Sequence, residues 1–226
     1  MFKPIKDIMP MVNPIDFEIS GWDINGANLF EACKRAKVLE PSLVNALRED
    51  LEAIKPLPAV LNQDFIASNQ SDRVNNVFTG TNYECISKIR ADIQNMKQKV
   101  DKVVVLWTAN TEMFMLPEIQ TIEELDRKID SGFSLPASLL FAVAAIQEKI
   151  IYLNGSPQNT FHPAVIELAR QNGAFIAGSD FKSGQTRFKT IMSDYLIGSG
   201  IRISSVVSYN HLGNNDGKNL SEDKCF

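Results

Sequence analysis

Six apolar runs in this chain end abruptly in small polar residues. After Ile19, Leu61, Trp107, Leu153, Ala177 and Tyr209 the sequence turns at once to Asn, Asp, Ser, Thr or Gly. Between the runs lie stretches of helical periodicity. Strands that alternate with helices specify an α/β fold with a parallel, doubly wound sheet, because a parallel neighbour is reached only through a crossover. In such a sheet the strand ends share one edge, the carboxyl edge where ligands bind. The polar breaks therefore predict a single surface of amides and hydroxyls suited to a polar, uncharged to anionic ligand.

Taken in order, Asp16 to Ser20 alternates like a strand, and Leu29, Ala32, Cys33 and Ala36 form one helical stripe. A helix is expected from Pro41, carrying Leu43, Leu47, Leu51 and Ile54 until Pro56. Ala67 to Asn76 has the composition of a loop or cap, and Ile86, Ile89, Ile93 and Met96 mark the next helix. Val103 to Trp107 predicts a buried strand. Two helices follow, one with Ile122, Leu125 and Ile129, the other opening at Ser134 and running through Ile146. A strand over Ile150 to Leu153, a helix from Pro163 to Gly173 and a strand over Ala174 to Ala177 lead to the loop Gly178 to Thr186. A helix through Phe188, Ile191, Met192 and Tyr195 and a strand over Ser205 to Tyr209 close the pattern.

At 226 residues the chain suits one α/β unit, or one domain and part of another. Lysine and arginine number 23 against 27 acidic residues, a balance that argues against nucleic acid as a partner. Three scattered cysteines, Cys33, Cys85 and Cys225, without CxxC spacing, fit a reducing compartment, and the expected location is cytoplasmic. The longest apolar run, Leu139 to Ile146, is far short of a membrane span, so no membrane partner is expected. With His162 and His211 as the two histidines, a histidine-based metal cluster is implausible, and structural bonding is the expectation for both.

The loop Gly178-Ser-Asp-Phe-Lys-Ser-Gly-Gln-Thr186 joins a strand to a helix and offers backbone N–H groups to an anion. Asp180, Lys182, Ser183 and Lys189 are spaced to set a cation beside a phosphate and a carboxylate beside a ribose or an amide. The same residues also suit an N-capping network. Asn210 to Asp216 satisfies a turn as well as a ligand site, though its density of amides favours a ligand. Arg73 and its neighbouring amides suit either a pyrophosphate or a solvated loop. Trp22 and Trp107 are expected as core or rim packing. No GxGxxG, Walker A or HExxH sequence occurs.

The segments Gly21-Trp-Asp-Ile24, Phe65-Ile-Ala-Ser-Asn-Gln70, Val104-Val-Leu-Trp-Thr-Ala-Asn-Thr-Glu112, Asn154-Gly-Ser-Pro-Gln-Asn-Thr160, Asp180-Phe-Lys-Ser-Gly-Gln-Thr186 and Ser208-Tyr-Asn-His-Leu-Gly-Asn-Asn-Asp-Gly217 resemble the eukaryotic-type inositol-3-phosphate synthases, from about Lys3 to Ser221. The resemblance implies a Rossmann-like NAD-binding domain over 1–186, incomplete at its start, then the first helix and strand of a mixed α/β catalytic and tetramerisation domain over 187–226. It implies NAD as cofactor and glucose 6-phosphate as substrate. The implied chemistry is oxidation at C5, loss of a C6 proton, attack of C6 on the C1 aldehyde and reduction of the ring ketone, giving 1D-myo-inositol 3-phosphate.

By the same resemblance Asp23 binds the adenosine ribose, and Ala59, Val60, Gln70 and Arg73 line the adenine and phosphate side. Thr108, Ala109, Asn110 and Thr111 hold the dinucleotide, Gly155 and Ser156 its nicotinamide half, and Asp180 and Ser183 the nicotinamide and its ribose. Asn210, Asn214, Asn215 and Asp216 face sugar phosphate or cofactor. Asp180, Lys182, Asn210 and Asp216 are the candidate catalytic residues; no metal is implied. The family's glycine- and asparagine-rich pyrophosphate loop has no counterpart here, Ser179-Asp180 stands where the family has an Asp pair, and the pattern ends after Asn219-Leu-Ser221, before the family's lysine-bearing segments. Two functions fit: an inositol-3-phosphate synthase that forms homo-oligomers, or an inactive truncated paralogue or splice form that binds NAD weakly or associates with the full-length enzyme. A short-chain-dehydrogenase-like protein ranks last, since the glycine loop and a Tyr-xxx-Lys pair are missing.

Overall fold

The computed structural model describes residues 4–182, 184–207 and 214–225, and within these the side chains of Lys6, Gln185, Asn214, Asp216 and Lys224 are left aside. Contacts divide the chain into two units, Met1–Ala59 with Asn75–Val77, and Val60–Val74 with Phe78–Phe226.

In the first unit β1 (Trp22–Asp23) pairs in parallel with β2 (Leu57–Pro58), and Ala59 bridges to Val77. The crossover holds α1 (Leu29–Ala36), α2 (Pro41–Ala46) and α3 (Arg48–Ala53). Asn28 caps α1 by accepting from the Glu31 N–H, and Lys37 ends it in the left-handed region. The helix expected to run unbroken from Pro41 is divided at Leu47. Leu43 and Leu47 stay exposed while Val44 is buried, so the anticipated stripe has no packing partner to hold two short helices in line. Asp16 to Ser20 is not a strand: Pro14–Asp16 is a 3-10 turn, Phe17 and Ile19 are exposed, and alternation without a neighbouring strand has nothing to pair with.

The second unit is built on three parallel strands in the order β3 (Val104–Trp107), β4 (Ile151–Asn154), β5 (Ile176–Ala177). The register places Trp107 beside Asn154 and Leu153 beside Ala177, which aligns their carboxyl ends. Helices α4 (Asn82–Lys97), α5 (Ile122–Asp130), α6 (Ala137–Gln147) and α7 (Pro163–Asn172) pack with them. Three of them have a visible start or stop: a capping box of Thr81 and Glu84 opens α4, Thr121 caps α5, and Pro163 opens α7, which Gly173 closes at φ 65°. Helix α6 is apolar on every side and buried from Ala137 to Ile146, as a central core helix must be.

The strand at Val103 to Trp107 is only half as buried as its composition predicts. Val105 lies inside, but Val104 and Leu106 are each 50% exposed, because the packed helices cover one face of β3 and leave the other open among the described residues. Helix α8 (Gly184–Gly198) follows, with Phe188, Ile191 and Tyr195 exposed. Residues 205–207 form no strand with any of the described residues; Val206 and Val207 are exposed, and Tyr209 lies outside the described residues. The chain ends in α9 (Asn214–Asn219) and a 3-10 turn at Asp223–Cys225. Among the described residues no helix is long and apolar enough to cross a membrane.

Candidate functional site at the carboxyl edge

Where β3, β4 and β5 end together, the loops that leave them are tied to one another by backbone bonds. Gly155 N–H donates to Trp107 O at 2.9 Å, Asp180 N–H to Ser156 O at 3.2 Å and Phe181 N–H to Gly155 O at 3.2 Å. The Ser156 hydroxyl donates to Ala109 O at 2.7 Å. Three of the six polar breaks thus meet at one edge; Ile19 and Leu61 do not end strands, and the break after Tyr209 lies outside the described residues. Thr108 and Ala109 are exposed on its rim, with Asn110 and Thr111 half-buried beside them.

Two glycines permit this closeness. A Cβ on Gly155 would meet Trp107 O at 2.8 Å and the Phe181 ring at 2.7 Å. Gly178 holds φ at 144°, and a Cβ there would come within 2.5 Å of Asn154 O. Asp180 adopts φ 63°, a conformation that Asp tolerates better than most side chains. Ser179, where the resemblance places a second Asp, accepts from Asn154 Nδ2 at 3.2 Å, so its hydroxyl is tied down to the floor of the edge.

A second cluster forms at the 3-10 turn Ser68–Arg73. Gln70 is 1% exposed, and its Oε1 accepts from Asn215 Nδ2 at 2.6 Å and Asn110 Nδ2 at 3.4 Å. Asn219, also buried, accepts from the Ala67 N–H at 3.3 Å and donates to Thr111 O at 2.8 Å. Glu222 accepts from the Ser68 N–H at 2.9 Å, the Ser68 hydroxyl at 2.6 Å and the Asn69 N–H at 3.1 Å. Glu222, beyond the recognised pattern, therefore joins Asn215 and Asn219 in anchoring the turn that carries Gln70 and Arg73.

The structure brings together Ala109, Gly155, Ser156 and Asp180 in one place, and Gln70, Asn110 and Asn215 in another. Val60 is buried, Arg73 half-buried, and Lys182 exposed. Asp23 and Ala59 sit in the first unit at the ends of β1 and β2, where the exposed Asp23 carboxylate accepts from the Asn25 N–H at 2.8 Å. Ser183 and Asn210 lie outside the described residues, and the side chains of Asn214 and Asp216 outside the described side chains. His162 is fully buried and structural: its Nδ1 accepts from the Ile119 N–H at 3.3 Å, and burial lowers its pKa. Among the described residues no cluster of His, Cys, Asp and Glu could hold a metal.

Sequence reasoning missed the floor beneath this edge. Asn154, Ser138, Thr160, Gln158 and Glu112 are all buried there and joined by hydrogen bonds. The available signal was a single serine in an otherwise apolar stretch of α6.

Fold and edge together define a Rossmann-like, NAD-binding α/β protein. A family model described as myo-inositol-1-phosphate synthase matches residues 1–210, and the chain belongs to that family. It is 50% identical to inositol-3-phosphate synthase 1-A of Xenopus laevis, covering 100% of this chain and 41% of that protein. Inositol-3-phosphate synthase of Dictyostelium discoideum is 52% identical over 99% of this chain and 45% of its own length. The crystal structure of inositol-3-phosphate synthase from Caenorhabditis elegans superposes with a TM-score of 0.94 at 50% identity, covering 100% of this chain and 45% of that one. A related protein from Thermotoga maritima, at 19% identity and TM-score 0.54, shares the fold. The chain thus spans less than half the length of these synthases.

Proposed function

We propose that the carboxyl edge of β3, β4 and β5 holds NAD for the conversion of glucose 6-phosphate to 1D-myo-inositol 3-phosphate. The observation that carries this is the convergence of Ala109, Ser156 and Asp180, from three strand ends, into one hydrogen-bonded edge. The residues fit such a ligand. Gly155 lets the Phe181 ring and Trp107 O pack against it where two strand ends meet, and the rim Thr108 to Thr111 offers amides and hydroxyls at the surface. Bound there, NAD supplies a hydride acceptor that is regenerated within the same cycle.

In this reading Gly155 and Ser156 shape the floor for the nicotinamide half, and Asp180 orients it through its carboxylate. Thr108 to Thr111 line the dinucleotide, and Gln70 with Arg73 takes the adenine and phosphate side. For Asp23 and Ala59 of the first unit, and for Val60 of the second, the resemblance alone supports the ribose and adenine roles. Lys182 pairs with the sugar phosphate as an exposed cation. Asn210, Asn214, Asn215 and Asp216 face sugar phosphate or cofactor. The catalytic and oligomerisation domain begins near Arg187, within α8, whose exposed Phe188, Ile191 and Tyr195 suit a subunit contact.

Calorimetric titration with NAD, followed by assay of inositol phosphate formed from glucose 6-phosphate, tests this. We expect NAD to bind, and turnover by the 226-residue chain to fall far below that of the longer relatives, of which it spans 41 to 46%. Absence of NAD binding would overturn the assignment. Turnover at the rate of the longer enzymes would instead show that the chain is catalytically self-sufficient.

A further inference from the structure

The segment 214–225 lies against two parts of the second unit at once, and a single side chain joins them. Asn219, the last residue of α9, is 1% exposed. Its Oδ1 accepts from the Ala67 N–H at 3.3 Å, where the Ser68–Arg73 turn begins, and its Nδ2 donates to Thr111 O at 2.8 Å, on the rim that leaves β3. Only one orientation of the carboxamide sets its oxygen against a donor and its nitrogen against an acceptor, so its partners fix it. The buried Cys225 thiol lies 4.0 Å from the same oxygen.

The backbone on either side of this group forms an unfinished ladder. Met113 N–H donates to Phe65 O at 2.7 Å, and an antiparallel continuation two residues on would set the Ala67 N–H directly against Thr111 O. The Asn219 carboxamide stands between those two groups and satisfies both. Turn and rim are therefore held one amide group apart where they would otherwise pair. Next to it side chains span the separation again: Asn110 Nδ2 and Asn215 Nδ2 both donate to Gln70 Oε1, at 3.4 and 2.6 Å. The rim has two further fixed points. Ala109 O accepts from the Ser156 hydroxyl at 2.7 Å, and the Glu112 N–H, in the same peptide unit as Thr111 O, donates to Gln158 Oε1 at 3.4 Å.

We propose that Asn219 is a positioning residue for this rim: its carboxamide is the spacer that sets Thr108 to Thr111 at a fixed distance from the turn carrying Gln70 and Arg73. A rim ordered before a ligand arrives spares that ligand the entropy of ordering it. The effect on affinity rests on the NAD reading above; the spacing itself can be read without NAD. Glu222 acts differently, since its bonds to Ser68 and Asn69 hold the segment down on the turn side.

The unaltered chain supplies the first test. Cys225 is alkylated with iodoacetamide, and its labelling rate is read by peptide mass spectrometry with and without NAD. Labelling requires the segment to lift, and lifting withdraws the spacer. A spacer that favours NAD therefore obliges NAD to oppose lifting by the same factor. Saturating NAD is expected to slow Cys225 labelling by about tenfold, the cost of ordering about one freed residue, and Asn219→Ala to weaken NAD in calorimetry by a matching factor. Glu222→Ala loosens the segment but keeps the spacer, and is expected to speed labelling with NAD affinity unchanged. Without NAD, hydrogen exchange at the Ala67 and Glu112 amides is followed by NMR, and both are expected to exchange faster in Asn219→Ala. Labelling that ignores NAD in a chain that binds it, an unaltered NAD affinity in Asn219→Ala, or unchanged exchange at both amides would each overturn the proposal and leave Asn219 an anchor of the terminal segment. If NAD binds at no concentration, the cofactor assignment fails, and the two amides alone decide whether Asn219 spaces the rim.

Discussion

Amides and carboxylates gather in two places in the second unit, beneath Ser156 and around the Ser68–Arg73 turn, and the two are built on different terms. Under Ser156 the members are sealed: Asn154 and Ser138 have no exposed surface, and Thr160 has 1%. Around the turn, Glu222 grips Ser68 and Asn69 at the surface, where Ser68 is exposed. A broken bond in the first place leaves a partner that water cannot reach, while at the Glu222 contacts of the second water takes the vacated position. Similar bond lengths therefore carry unequal weight. The sealed set confers rigidity on the floor of the edge, and the open set fixes where a terminal segment rests.

Asn154→Ala is the strongest way to break this contrast. It strands the Ser156 N–H and Gln158 O together, and is expected to cost about 4 kcal/mol in urea unfolding and to abolish NAD binding. Next is the pH dependence set by Glu112. Its folded pKa, about 7, exceeds the ordinary 4.5, so the fold holds the proton more tightly than the unfolded chain. Its destabilising effect is absent below the unfolded value and complete above about 7. Stability relative to Glu112→Gln should therefore decline by about 3 kcal/mol as pH rises through that window, measured by urea midpoints.

Gly155→Ala sharpens the comparison from the backbone side. Phe181 can swing aside, but Trp107 O cannot, and a loss of about 2 kcal/mol with weaker NAD binding is expected. The smallest effect belongs to Glu222→Ala. Stability should drop by no more than about 1 kcal/mol, with cleavage of the 214–225 segment in limited proteolysis accelerating well before the edge is affected. A large stability loss from Glu222→Ala, or a negligible one from Asn154→Ala, would reverse the ranking.

The same contrast explains what the sequence made legible. Helix α7 could be placed from Pro163 and Gly173, and α6 from its length and uniform apolarity, because caps and periodicity are local. Ser156 and Asp180 were reachable through the polar residues that end each strand and through family motifs. The half-open face of β3 was not, since an apolar run looks the same whether one face is covered or two. Nor was the strand expected at Asp16 to Ser20 distinguishable from coil without its missing neighbour. The Glu112 to Asn154 chain escaped because hydrogen bonding among distant residues has no period. Asn154 to Thr160 has the composition of any polar turn, and Ser138 acquires meaning only when Glu112 and Thr160 are seen on either side of it. Glu222 lay beyond the recognised pattern, and only its partners reveal its role.

Helix α6, enclosed on every side from Ala137 to Ile146, also sets a clock for the molecule. Amides that no local opening can expose exchange their hydrogens only when the whole unit comes apart, whereas those of the rim at Thr108 and Ala109 exchange through small excursions. The two populations sit at opposite ends of the same hydrogen-bonded column, joined through Ser138 and Asn154. A ligand on the edge would slow the fast population first, against an internal reference that stays still until global unfolding.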